Sequence, residues 1–327
     1  MPLEVIYVAR HGFRSNWLVD HSTGTYTATL RSPTGGAADP ELTAHGVDQA
    51  RELGERLLKA EPPIERVYSS LYYRCLQTVE PFVRKAIVAD KRLSIRGETG
   101  LGEWYGAANF EHPVPANHET LRPLFPGLLD EEYRPLVVPT RMGEGVDELH
   151  DRVASTMDEL IAQCDREGVR AVLLCSHAAT IIALGRVLTG NMPESIDAED
   201  FRAFTCGLSV YSRRTSSAGT VSGAGECDGD GTATSPRAST AHNTDRHKDL
   251  AWRGGRGVGG GWVCELNSDC SHLSLGEERG WRFSGDESFL DTTSGQSMLD
   301  AGELGVVVEG RAKSSGSTEA ASSRGKL

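Results

Sequence analysis

The chain has 327 residues and a formal charge of -12 at pH 7, which argues against capture of nucleic acid by bulk electrostatics. Its apolar content of 38% is low enough to predict that part of the chain stays outside any hydrophobic core. The seven cysteines are scattered and form no C-x-x-C pair, which disfavours a disulfide framework or a zinc cluster and suits a reducing compartment. No apolar stretch is long enough to span a bilayer, and the N-terminus does not resemble a secretory signal.

Strands and helices are predicted in alternation along residues 4–213. Short apolar and β-branched runs predict strands at residues 4–9, 64–70, 92–96, 169–177 and 208–213. Apolar residues at helical spacing predict helices at residues 42–60, 71–86, 146–168 and 178–190. Thr43 is the predicted N-cap of the first helix, and Pro81 is expected to kink or break the second. Residues 18–41 predict a loop, and the Pro- and Gly-rich residues 99–140 predict an ordered excursion.

This alternation indicates an α/β domain with a largely parallel sheet over residues 1–213. Residues 214–260 are rich in Ser, Thr and Gly, carry few large apolar side chains, and predict a disordered insert. In residues 261–290, the segments "WVCELNS" and "GWRFS" predict a short strand pair that returns to the core. Residues 291–327 predict a largely disordered tail.

Two of the predicted strands end in a histidine. The first runs into "RHGFR", which contains Arg10, His11 and Arg14, and a later one runs into "CSH", which contains His177. Binding sites of open α/β sheets form at the carboxyl ends of their strands, so we expect both histidines at one edge of the sheet.

Two further segments carry reactive side chains. The segment "SSLYYRCLQT" contains Ser70, Arg74, Gln77 and Thr78, and "GLGEWYG" contains Glu103. A compact phosphate dianion suits arginine, whose forked donors bind it bidentately and keep their charge. A neutral imidazole is a competent nucleophile at phosphorus, and a carboxylic acid protonates the leaving alkoxide before it deprotonates water. The aromatic surroundings of Glu103 are expected to raise the pKa of that carboxyl.

Together these segments resemble the histidine phosphatase superfamily, branch 1, also called phosphoglycerate-mutase-like. The resemblance implies a three-layer α/β/α fold and a phosphomonoesterase that uses neither cofactor nor metal. It makes His11 the phosphorylated nucleophile, Glu103 the proton donor and His177 a further catalytic group. The phosphate would be bound by Arg10, Arg74 and His177, with Arg14 added because members with an "RHGxR" pattern use that extra arginine.

Within this family, "ARHGFRSNW", "YRCLQTVEP", "GEWY" and "SHAATIIALG" are similar to the phosphatase-like tau subunits of fungal TFIIIC, which serves RNA polymerase III. That similarity implies TFIIIC subunits as partners, besides a phosphorylated small molecule or phosphoprotein, and a nuclear or cytoplasmic location. One departure from the family pattern is Leu71, which replaces the acidic residue of the usual "SSDLxR" and casts doubt on the start of the second helix.

The sequence leaves several alternatives open. Glu111 or Glu119 could serve as proton donor instead of Glu103, and the fold could act as a docking module whose catalysis is incidental. Phosphotyrosine, nucleotide and sugar phosphate substrates all satisfy the charge argument. A mutase is disfavoured, because Phe13 and Arg14 replace the Glu-Ser or Glu-Thr pair typical of mutases. The oligomeric state is undetermined.

Overall fold

The computed structural model describes residues 2–20, 22–28, 30–89, 92–214 and 251–283. Its strands are β1 (Val5–Arg10), β2 (Trp17–Asp20), β3 (Thr25–Ala28), β4 (Arg66–Ser69), β5 (Ile95–Gly97), β6 (Ala171–Ser176), β7 (Leu208–Arg213) and β8 (Trp262–Asp269). Its helices are α1 (Ala44–Leu57), α2 (Tyr73–Val88), α3 (His118–Leu121), α4 (Val146–Glu167) and α5 (Ala178–Thr189). Short 3-10 turns occur at Thr99–Leu101 and Val258–Gly260.

Six of these strands form one mostly parallel sheet in the order β5-β4-β6-β1-β7-β8. Strands β5, β4, β6 and β1 run parallel, whereas β7 and β8 are added antiparallel at one side. The α/β fold with a mostly parallel sheet that the sequence predicts is therefore confirmed.

Both faces of the sheet are covered, which explains why its central strands read as continuous apolar runs. Along β1, Ile6 and Val8 pack into the core beside α4 and α5, while Tyr7 and Ala9 pack into the core beside α1 and α2. Alternate side chains of a strand point to opposite faces, so consecutive residues in the middle of such a strand are apolar. The two helical layers leave the carboxyl ends of the strands as the open edge of the domain.

The structure departs from the predicted elements in four places. Strands β2 and β3 form a separate hairpin where the sequence predicts a loop, and helix α2 continues through Pro81 without a break. Residues 251–260, which we assigned to the insert, are folded, with Trp252 and Val258 almost fully buried. The predicted strand pair is one strand, β8, which pairs with β7, whereas "GWRFS" does not form a strand in its described part.

The disorder predicted for residues 215–250 and 291–327 concerns residues outside the described part of the chain, and it stays a prediction. Among the described residues, no helix is both long and apolar enough to cross a membrane.

Candidate active site

The ends of β1 and β6 bring the two histidines together. These strands pair in parallel, with Arg10 opposite Ser176, so the next residue of each strand leaves the sheet at the same point. The backbone N–H of His11 donates to the carbonyl of Ser176 at 3.0 Å. The rings of His11 and His177 lie 5.4 Å apart between centroids, at an interplanar angle of 61°.

The loop after His11 is held by helices α1 and α2. The N–H of Gly12 donates to the Thr78 hydroxyl at 3.0 Å, and the N–H of Phe13 donates to the Gln49 side chain at 2.9 Å. A Cβ at Gly12 would lie 2.8 Å from the carbonyl oxygen of Gly46, so this close approach requires glycine. The loop is thus fixed by helix packing.

The hydrogen bonds of His11 leave its Nε2 available for attack. Nδ1 of His11 lies 2.9 Å from the carbonyl oxygen of Gly12, which can only accept, so the proton resides on Nδ1. Burial, followed by the charges of Arg74 and Arg10, holds the pKa of His11 well below its usual value. The ring is therefore neutral at physiological pH, with the Nε2 lone pair free.

Arg74 is fully buried and lies at the centre of a polar cluster. One of its guanidinium nitrogens, Nη2, lies 3.0 Å from the Glu103 carboxylate and 3.3 Å from Nδ1 of His177. The other, Nη1, donates to the carbonyl of Ala38 at 3.2 Å and lies 3.5 Å from the Asp39 carboxylate. A buried guanidinium needs such partners to offset its lost hydration, and they fix its direction.

Asp39 also explains how helix α2 begins despite Leu71. The residue before the helix, Tyr72, makes no side-chain capping bond, but Asp39 accepts a hydrogen bond from the N–H of Tyr73 at 2.8 Å. A carboxylate from a distant loop therefore satisfies a backbone donor that the missing local acid would have reached.

His177 lies between a carboxylate and a hydroxyl. Its Nδ1 is 3.1 Å from the Glu103 carboxylate, and its Nε2 is 2.8 Å from the Ser70 hydroxyl. Burial opposes charge on this ring, but the adjacent Cys75 and Glu103 outweigh burial, and the pKa of His177 is raised. Burial keeps Cys75 a neutral thiol, so we assign this effect chiefly to Glu103. His177 is consequently the more cationic of the two histidines.

The environment of Glu103 differs from the sequence prediction. Burial alone would raise the pKa of Glu103, as its aromatic neighbours suggested, but His177 and Arg74 outweigh burial and lower it. The expectation of a raised pKa in the ligand-free protein was wrong, because the sequence did not show these two cationic partners. The alternatives are outside the cluster: Glu111 pairs with Arg141 at 2.7 Å with its side chain 57% exposed, and Glu119 is exposed on α3.

The last described segment holds Arg10 in place. Arg10 donates to the carbonyls of Ala203, at 2.7 Å, and of Arg279. The guanidinium of Arg279 lies 3.8 Å from the ring centre of Phe13 and donates to the carbonyl of Arg14 at 3.2 Å. Residues 277–283, which follow β8 in the chain, therefore form part of the wall around the histidines.

Arg14 completes this group of cations. Its side chain is 5% exposed, donates to the carbonyl of Ser15 at 3.1 Å, and lies over Trp17 at 5.9 Å. Like Arg10 and Arg74, it contributes to the lowered pKa of His11. We call the group formed by Arg10, His11, Arg14, Arg74, Glu103 and His177 the anion cup.

Three members of the cup could also ligate a metal ion. The donor atoms of His11, Glu103 and His177 all lie within 4.8 Å of one another, and imidazole and carboxylate are ligands of zinc and other divalent ions. The guanidiniums of Arg10 and Arg74 share the same space, however, and they repel a cation. The field of the cup favours an anion.

The comparison with known protein families decides the affiliation of the chain. Residues 6–221 match the model of the histidine phosphatase superfamily, branch 1. The chain belongs to this superfamily. The match contains every member of the anion cup, and the resemblance inferred from "RHGFR" and "CSH" is confirmed.

The chain is similar to two curated relatives. It is 32% identical over 290 residues to the transcription factor tau 55 kDa subunit of Saccharomyces cerevisiae, covering 86% of this chain and 59% of the relative. It is 29% identical over 215 residues to the ecdysteroid-phosphate phosphatase of Drosophila melanogaster, covering 58% of this chain and 27% of the relative. The chain thus spans well under two thirds of the length of these relatives.

A solved structure shares the fold. The ecdysone phosphate phosphatase of Bombyx mori, crystallised with tungstate, superposes with a TM-score of 0.51 at 23% identity, covering 72% of this chain and 98% of that chain. At this identity the likeness concerns the fold alone, and it agrees with the three layers described above.

Sequence reasoning located the six side chains of the cup but missed those that hold them. Asp39 contacts Arg74, Gln49 contacts the loop after His11, and Arg279 contacts Arg10, and each of these contacts depends on folding. Ser70 and Thr78 were visible in "SSLYYRCLQT", yet their bonds to His177 and to Gly12 could not be read from spacing.

Proposed function

We propose that this histidine phosphatase is a metal-independent phosphomonoesterase that works through a phosphohistidine on Nε2 of His11. One observation carries the proposal: a neutral, buried imidazole faces a cluster of arginines and a second, more cationic histidine. The phosphate dianion would be bound by Arg10, Arg14, Arg74 and His177, all four of which lower the pKa of His11 by their charge.

In the first step, Nε2 of His11 attacks phosphorus, the bond from phosphorus to the ester oxygen breaks, and the leaving oxygen takes a proton from Glu103. A bound dianion competes with Glu103 for Arg74 and repels the carboxylate, so the pKa of Glu103 rises when substrate is present. In the second step, Glu103 accepts a proton from water, the oxygen of that water attacks phosphorus, and the P–N bond breaks to release phosphate. His11 recovers its lone pair.

Hydrolysis of 4-nitrophenyl phosphate by wild type and by His11→Ala tests this proposal. We expect His11→Ala to lose at least about 10³-fold in kcat, because the nucleophile is absent. Wild type should also yield an acid-labile, base-stable phosphoenzyme that the variant does not form. His118→Ala, which removes a histidine on α3, is the matched control and should retain activity. Equal rates for wild type and His11→Ala would refute the phosphatase proposal.

We also propose a second function, that of a docking subunit in a TFIIIC-like complex in the nucleus. The supporting observation is the 32% identity to the yeast tau 55 kDa subunit over 86% of this chain, more than the overlap with the Drosophila phosphatase. The two functions are compatible. If docking is a separate function, the full chain carrying His11→Ala should still co-purify with the other subunits, whereas absence of such partners in a wild-type pull-down would count against docking.

A further inference from the structure

A cavity of about 310 Å³ opens beside the anion cup. It lies between the loop after β4 and the excursion of residues 99–145, and three of its lining residues, Ser70, Tyr72 and Glu103, contact cup members or belong to the cup. Its size is at the lower end of the range for small-molecule sites. An ester held in the cup with its leaving oxygen near Glu103 therefore has its alcohol portion directed into this cavity.

Tyr72, Tyr105 and His112 form an aromatic wall of the cavity. The hydroxyl of Tyr105 donates to that of Tyr72 at 2.8 Å, which in turn donates to the carbonyl of Pro113 at 2.7 Å. Burial raises the pKa of both tyrosines, so the phenols stay neutral. His112 stacks on Tyr105 at 5.1 Å and bonds to the hydroxyl of Tyr26 at 2.6 Å. The polar atoms of this wall are already satisfied by one another, and a ligand meets mainly carbon.

Three prolines also line the cavity. Pro113, Pro115 and Pro139 line the cavity, and proline offers no backbone donor. The rim carries Val114 and Val138, whose side chains are 59% and 76% exposed. An exposed apolar rim beside an apolar cavity is typical of a ligand site.

Charged side chains that line the cavity are matched by opposite charges. Arg141 pairs with Glu111 at 2.7 Å, and Glu144 pairs with Arg152 at 2.7 Å. Glu103 is paired within the cup. Placing a second phosphate or a string of sugar hydroxyls here would break such pairs or leave polar groups unsatisfied, and both are unfavourable.

We propose that the alcohol portion of the substrate is aromatic or of similar apolar size, and that this cavity selects it. The inference rests on the proposed phosphatase function and narrows its substrates to aryl and other large apolar phosphate monoesters. Small polar alcohols, such as those of serine or a sugar, gain nothing from this wall. An aryl phosphate can come from a small molecule or from a tyrosine side chain, and both share the chemistry that the cavity recognises.

A series of esters with alcohols of similar acidity tests the proposal. We expect kcat/KM for 2-naphthyl phosphate to exceed that for phenyl phosphate by roughly tenfold, since the second ring buries additional apolar surface. A phosphotyrosyl peptide measured in the same series identifies the source: a higher kcat/KM than for 2-naphthyl phosphate indicates protein tyrosine, and a lower one indicates a small molecule.

Val138→Asp is the informative variant, because this exposed rim residue tolerates a charge without loss of folding. It should lower kcat/KM for 2-naphthyl phosphate by roughly fivefold or more and leave phenyl phosphate nearly unchanged. Val88→Asp is the matched control, because Val88 is an exposed valine at the end of α2 that does not line the cavity. This variant should keep the preference for 2-naphthyl phosphate over phenyl phosphate. Equal kcat/KM for both aryl esters, together with an inactive His11→Ala, would overturn the substrate proposal while the phosphatase function stands.

If wild type hydrolyses no ester faster than His11→Ala does, binding measurements separate the proposed phosphatase function from the proposed apolar ligand cavity. That result refutes the phosphatase function, and the affinities of naphthylmethylphosphonate and methylphosphonate, measured by calorimetry, then decide the ligand class. Tighter binding of the naphthyl compound by wild type, lost in Val138→Asp, supports the cavity as an apolar ligand site. Equal affinities for both phosphonates refute it.

Discussion

The anion cup and the apolar cavity adjoin at Glu103, yet they are built on opposite physical principles. In the cup, Arg74 and His177 are fully buried and His11 is 2% exposed, and each makes a hydrogen bond to a neighbour from another element. In the cavity, hydroxyls bond to one another and the lining is mainly carbon. In the function we propose, the cup would recognise the charge that every phosphate ester shares, whereas the cavity would recognise the alcohol portion, in which esters differ.

This difference assigns separate kinetic effects to the two regions. A change in the cup should weaken turnover of all esters by a similar factor, because the phosphoryl group is common to them. A change in the cavity should alter the ranking of esters and leave the smallest ester nearly unaffected. Glu103 lies at the boundary between the two regions. The loss of turnover caused by a change at Glu103 should therefore depend on the acidity of the leaving alcohol and not on its size.

Among the substitutions in the cup that leave His11 in place, Arg74→Lys should have the largest effect. Lysine cannot reproduce the forked contacts of Arg74 with Glu103 and Ala38, so we expect kcat/KM to fall about 10²- to 10³-fold for phenyl and 2-naphthyl phosphate alike. Arg84→Lys, on the exposed side of the same helix, is the control and should leave kcat/KM unchanged for both esters. A loss confined to one of the two esters would contradict a uniform role for the cup.

Glu103→Gln should have a smaller and selective effect. Glutamine cannot deliver a proton, so we expect kcat to fall about 10²-fold for alkyl phosphates, whose leaving oxygens need protonation. For 4-nitrophenyl phosphate, which leaves without a proton, the fall should stay within about tenfold. Steady-state kinetics on the two ester types, with a thermal melt to confirm folding, provides the measurement. Equal losses on both would show that Glu103 positions Arg74 and His177 without donating a proton.

Acidification should have the smallest effect. The pKa of His11 is lowered, chiefly by burial and then by Arg74 and Arg10, so its neutral form persists below the pH at which an ordinary histidine is protonated. From about pH 7.5 to about pH 5.5, we expect kcat/KM to change less than about threefold after correction for substrate ionisation, whereas a histidine with a pKa near 6.5 would cause about a tenfold loss. If kcat/KM fell with a midpoint near pH 6.5 for every ester, the lowered pKa of His11 would be contradicted.

The fold and the cup were largely predictable because their signals are local. Buried strands such as β6 are continuous apolar runs, and the helix cap at Thr43 follows from its place before an amphipathic segment; its side chain accepts a bond from Gly46. The hairpin of β2 and β3 was missed because its residues alternate only weakly between exposed and buried and lie in a Ser/Thr-rich stretch. Helix α2 was predicted across Pro81, and it continues there without a break because packing overrides local preference.

The sequence by itself determined that His11 and His177 lie together, because a strand that ends in "RHG" and another that ends in "SH" place these residues at the same edge of a parallel sheet. Only the tertiary structure decided their charge states. The lowered pKa of Glu103 depends on Arg74 and His177, which lie far from it in sequence. The apolar cavity likewise depends on the hydrogen bond between the hydroxyls of Tyr72 and Tyr105. Such interactions between distant segments exist only once the chain has folded.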